Sequence, residues 1–137
     1  MLINLINYKI YNQRINQKYN TYIQDLLDNI EGDLNNTINW YFLEELLESF
    51  CKKISSQIEF IESIIKNDIK IFKYFSFLKS IKTNYFNLAN TKNKILIRKN
   101  KEYDLAEFNY YRRILEFNLN TLFTMKTDLE NKILGIE

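Results

Sequence analysis

Glu44 and Glu48 stand one helical turn apart, as do Glu59 and Glu62, so each pair can project from one helix face and hold a hard cation. The same spacing arises wherever an amphipathic helix turns its acidic residues to water, which is the plainer explanation. Cys51 is a nucleophile by type, but it lies in the apolar stretch 46–54, the setting of a small core residue and not of a reactive thiolate. Tyr110, Tyr111, Arg112 and Arg113 can form a stacking platform or simply a helix surface. Trp40, ten Tyr and ten Phe offer material for a ligand pocket, yet with two Ala and no Val they are needed first to fill a core.

What is missing narrows the chemistry further. Histidine is absent, which removes the commonest general base, the usual partner of a Ser or Cys nucleophile and the usual nitrogen ligand of transition metals. A di-iron bundle fails for the same reason, since it needs Glu-x-x-His pairs. Two glycines cannot build a phosphate-cradling loop or a dinucleotide fingerprint. The expectation is therefore a protein that is not an enzyme and uses no cofactor or metal.

A single cysteine rules out an intramolecular disulfide framework and fits a reducing compartment, the cytoplasm or an organelle interior. Asn and Lys interrupt every turn of the first fourteen residues, unlike a signal peptide. The most apolar window, 69–81, carries Lys70, Lys73 and Lys79 and falls short of the roughly 20 apolar residues that span a bilayer. Abundant Asn, Ile, Lys, Tyr and Phe follow A/T-rich codons and point to a low-GC genome. That bias also weakens any inference from the absence of proline.

The elements that must position these residues are helices. Leu5, Tyr8, Tyr11, Ile15, Tyr19, Tyr22, Leu26 and Ile30 form one apolar stripe, predicting a first helix over 3–31 that Gly32 closes in the left-handed conformation. A second begins at Asn36 or Thr37 and carries Trp40, Leu43, Leu47, Phe50, Ile54, Ile58, Ile61 and Ile65. Asn67 and Asp68 offer a break, after which Ile69, Phe72, Phe75, Leu78, Ile81, Tyr85 and Leu88 resume the pattern, leaving open one long helix or two. Residues 90–101 lose the stripe and read as the main loop. Asp104, with Glu107 three residues on, caps a last helix through Leu105, Phe108, Tyr111, Leu115, Leu119, Leu122, Met125, Leu129 and Ile133, which Gly135 ends. With 46% apolar and 26% charged residues, the fold expected is all-α: a single domain over 1–137, an elongated antiparallel bundle of three or four long helices packed in the manner of a coiled coil.

Charge is distributed unevenly along the chain. From 69 to 101 there is no Asp or Glu, against Lys70, Lys73, Lys79, Lys82, Lys92, Lys94, Arg98, Lys99 and Lys101, interleaved with aromatic residues. From 25 to 62 nine acids face only Lys52 and Lys53, a net of −7. Either the two stretches are neighbours whose rims select the antiparallel register, at about 0 to 1 kcal/mol per exposed pair, or the basic stretch docks an acidic partner. On the second view the partner-binding residues are Lys70, Lys73, Phe75, Lys79, Lys82, Lys92, Lys94, Arg98, Lys99 and Lys101. The leading expectation is a binding or assembly protein whose partner is another protein or a second copy of itself. A nucleic-acid binder using 69–101 stands behind it, because a pI near 8.5 is low for that role. A small phage- or plasmid-type inhibitor or immunity protein is the third alternative. Whether 69–88 packs into this chain's own core or against another chain stays open.

Overall fold

The structure is a computed structural model that describes residues 2–100 and 104–135, with side chains described for 5–99 and 104–135. Four helices, α1 (Leu2–Gly32), α2 (Thr37–Asn67), α3 (Phe75–Leu96) and α4 (Leu105–Leu134), account for most of the chain, with 3-10 turns at Phe72–Tyr74 and Ile97–Asn100. No strand occurs among the described residues. At 1.5 Å per residue α1 and α2 are each about 46 Å long, so the bundle is elongated.

Cross-helix bonds fix the arrangement. Asn16 meets Gln57, Tyr85 meets Cys51, Asn118 meets Thr91, and Arg112 meets Asp28. Each helix therefore runs antiparallel to its sequence neighbour, and α4 returns beside α1 to close the ring, the up-down-up-down order that short connections favour. The break at Asp68 settles the second half of the chain: α2 stops at Asn67 and α3 is a separate helix.

Local chemistry sets most helix ends. The Asn36 side chain accepts the Asn39 N–H at 3.1 Å, and Asp104 accepts the Glu107 N–H at 2.8 Å, each satisfying a first-turn donor that the helix cannot. Gly135 closes α4 with φ 74° in the left-handed region. Gly32 behaves otherwise. It lies within α1, and Gly135 is the only positive-φ glycine described. Side chains make this turn instead: Asp33 accepts the Asn35 N–H at 3.1 Å, and the Trp40 indole donates to the Leu34 carbonyl at 2.9 Å.

Two further expectations are corrected. Residues 90–100 are no loop, because α3 continues through Leu96 and a 3-10 turn follows it. Thr91, Lys92, Ile95 and Leu96 are all buried there, so the inward positions persist although two of them are polar. On α1, Tyr11 and Tyr22 are exposed while Asn12, Asn16, Ile23 and Leu27 are buried. The inward line runs one residue later than hydropathy suggests, since tyrosines can sit at a wet margin and Asn16 faces Gln57 on the neighbouring helix.

The α2 stripe is buried throughout, from Trp40 to Ile65. Trp40 packs edge-on against Phe108 across the bundle, with ring centroids 5.9 Å apart, and Phe50 lies between Tyr19 and Phe123. Large side chains thus fill the interior in place of the missing Val and scarce Ala.

Candidate functional site

The acidic rim of α2 and the basic rim of α3 lie side by side. Glu62 meets Lys82, Glu48 meets Lys92 at 3.0 Å, and Glu44 meets Lys99, a ladder that climbs α2 in one direction and α3 in the other. Hydrogen bonds from Lys82 and Lys66 hold the Glu62 carboxyl below its ordinary range. Arg98 sits 2.8 Å from Glu107, donates to the Tyr111 hydroxyl at 2.9 Å and stacks over its ring at 4.7 Å. Four of the ten candidate partner-binding residues, Lys82, Lys92, Arg98 and Lys99, are thereby engaged within the chain. Glu44, Glu48 and Glu62 are engaged with them, and no metal-holding cluster occurs among the described residues.

The remaining candidates behave differently. Lys70, Lys73 and Lys79 are exposed and form no ion pair with a described residue; nor does Lys94, farther along α3. Lys101 lies outside the described residues. Phe75 is half-buried against the core, so it supports the corner and does not present it. The first three lysines cluster where α2 hands over to α3. Lys73 lies 5.2 Å from the Tyr74 ring and Lys79 5.4 Å from that of Phe75, which stacks on Phe72. Lys132 of α4 lies over the Phe77 ring, 5.3 Å from its centroid. Ile69 is 92% exposed, and Phe72 and Phe77 are about half exposed. The third stripe thus begins outside the core: Leu78, Ile81 and Leu88 are buried, but Ile69 and Phe72 face water. One carboxylate, Asp68, shares this corner, and its Oδ1 accepts the Lys70 N–H.

Arg112 is neither a stacking platform nor an idle surface residue. It donates to Asp28, to Glu31 at 3.0 Å, to Glu116 at 3.1 Å and to Gln24 at 3.2 Å, tying α4 to the end of α1. Burial opposes its charge, but the bonds to Asp28 and Glu116 outweigh it and keep the guanidinium above its ordinary pKa. Cys51 is buried, and that desolvation raises its thiol, as befits a core residue.

Sequence reasoning missed a polar interior in the half of the bundle where α1 begins and α4 ends. Asn16 and Gln57 exchange two amide hydrogen bonds, of 3.2 and 3.0 Å, while buried. Lys126 and Glu130, one turn apart on α4, have side chains only 4% and 1% exposed, and the Lys126 Nζ lies 3.4 Å from both Glu130 oxygens. Burial lowers the Lys126 ammonium and raises the Glu130 carboxyl, each shift opposed by the partner's charge. The signal was present: 119, 122, 126, 129 and 133 keep three-and-four spacing, so Lys126 holds the inward place that hydropathy assigned to Met125.

No known protein family, curated protein or solved structure matches the chain. Among the described residues no helix is long and apolar enough to cross a membrane.

Proposed function

We propose that the chain is a non-enzymatic binding or assembly protein that docks an acidic, apolar-bearing segment of another protein at the corner between α2 and α3. The observation that carries this is the exposure of Ile69, Phe72 and Phe77 beside Lys70, Lys73 and Lys79, where the neighbouring lysines of the same stretch are already neutralised by α2. Exposed apolar side chains gain about 1.5 to 3 kcal/mol each when fully covered. Three lysines that form no ion pair with a described residue, against the single carboxylate of Asp68, set the sign of what covers them. Nucleic acid fits less well, because a polyanion needs a long run of available cations, and Lys82, Lys92, Arg98 and Lys99 are spent inside the bundle.

Fluorescence anisotropy with a labelled synthetic helix bearing Leu and Phe on one face and Glu on the other tests the proposal. The intact chain should bind it, less tightly at 0.5 M than at 0.05 M salt. The pair Ile69→Ser and Phe72→Ser should weaken binding at least tenfold with an unchanged melting temperature, since neither residue is in the core. Phe75→Glu is the wrong probe, because Phe75 packs on the core. Tighter binding of a DNA duplex than of the peptide, or a monomer–dimer equilibrium by light scattering that the double substitution abolishes, would replace this partner with nucleic acid or with a second copy.

A further inference from the structure

Between α1 and α4 lies a cleft of about 310 Å³, lined by Gln13, Asn16, Gln17 and Asn20 on one side and by Phe123, Lys126, Thr127 and Glu130 on the other. Its volume corresponds to roughly ten water molecules, which suits a small solute and not a cofactor. Gln13 and Gln17 are exposed and form its mouth, whereas Asn16, Lys126 and Glu130 are buried and form its base.

The base is chemically incomplete. Lys126 carries three N–H donors and Glu130 about four acceptor sites, yet among the described residues each hydrogen-bonds only to the other, at 3.4 Å, the long limit of a hydrogen bond. Asn16 has both its amide groups committed to Gln57, so it does not complete them. Lys9 adds positive charge from the α1 side, but its ammonium is bonded to Asn131. Buried charged groups normally have their remaining valences filled, and both residues are among those that line the cleft, with side chains 4% and 1% exposed.

We propose that this cleft binds a small zwitterion of the α-amino-acid class with a polar side chain, its carboxylate on Lys126 and its ammonium on Glu130. Two opposite charges on consecutive helical turns discriminate by sign. A simple anion meets Glu130, and a simple cation meets Lys126 and Lys9. A molecule carrying both charges a few ångströms apart satisfies the pair together. The amides of Gln13, Gln17 and Asn20 and the Thr127 hydroxyl then stand ready for a polar side chain, with the Phe123 ring as an apolar wall.

Isothermal titration of the whole chain with glutamine, glutamate, asparagine and serine, beside succinate and putrescine as single-sign controls, tests this inference. Saturable binding of at least one amino acid is expected, with both controls at least tenfold weaker. The double variant Lys126→Met, Glu130→Leu should lose that binding. Gln17→Trp, which fills the mouth from an exposed position and leaves the core untouched, should also lose it and so reads out the site even if the double variant does not fold. No heat of binding from any of the four amino acids up to 50 mM, equal affinity for succinate or putrescine, or binding that survives Gln17→Trp would each overturn the assignment. The corner between α2 and α3 takes no part in this experiment, so the two proposals stand or fall separately.

Discussion

Replacing Lys126 with methionine leaves the Glu130 carboxylate in the bundle without its counter-charge, at a site where that side chain is 1% exposed. Breaking a buried pair from one side costs about 3 to 5 kcal/mol, whereas replacing both members with apolar residues of similar volume is neutral or stabilises by about 1 to 4 kcal/mol. The 3.4 Å separation and the lack of further partners place this pair among those whose attraction recovers little of its desolvation. Lys126→Met and Glu130→Leu should therefore each destabilise by about 3 kcal/mol, and the double variant should equal or exceed the parent. At about 3 to 5 °C per kcal/mol for a chain of this size, the single variants should melt roughly 10 °C lower.

The pH dependence supplies the sharper test. In Lys126→Met, burial keeps the Glu130 carboxyl above its ordinary value, so the folded state holds that proton more tightly than the unfolded state. The stability this confers is complete below the ordinary Glu range and is lost as pH rises through the raised value. In Glu130→Leu, burial keeps the Lys126 ammonium below its ordinary value, and stability rises as pH climbs toward the ordinary Lys range. Urea denaturation from pH 4 to 10, with each single variant expressed as the difference from the double variant, which lacks both groups, should give slopes of opposite sign for the two single variants. Single variants costing under 1 kcal/mol with slopes of the same sign would refute the reasoning, because the groups would then be hydrated and not buried.

Two more predictions rest on a charge pair and a helix cap. Exchanging Glu48 and Lys92 tests the ladder between α2 and α3: Lys92→Glu alone should cost about 2 kcal/mol or more in urea denaturation, because position 92 is buried and would face Glu48, and adding Glu48→Lys should recover part of it as the 3.0 Å pair re-forms with its charges reversed. Asp104→Ala removes the acceptor of the Glu107 N–H and should cost about 1 kcal/mol in the same measurement, while Asp104→Ser should cost less because a hydroxyl can take over the bond.

The helices and several of their ends were legible in the sequence because local physics decides them. Three-and-four spacing over 37–65 marked a helix whose stripe is buried from end to end, and the caps at Asn36, Asp104 and Gly135 followed from side-chain and backbone chemistry within one turn. The alternation of acidic and basic stretches was equally visible, but its meaning was not. Only the ring order of the bundle put Glu44, Glu48 and Glu62 beside Lys99, Lys92 and Lys82, leaving Lys70, Lys73 and Lys79 exposed at a corner.

The loop expected at 90–101 and the line of tyrosines on α1 failed for a shared reason. Hydropathy assigns a side by side-chain type, whereas the folded bundle assigns it by what stands opposite. Lys92 can be buried because Glu48 meets it, and Asn16 because Gln57 does. Lys92 and Asn16 are thus permitted at inward positions by partners tens of residues away, and no local pattern contains those partners. The sequence by itself determined that the chain is helical and where its helices are punctuated. Tertiary packing alone decided which charges are spent, which lie buried in the interior, and where apolar surface is left facing water.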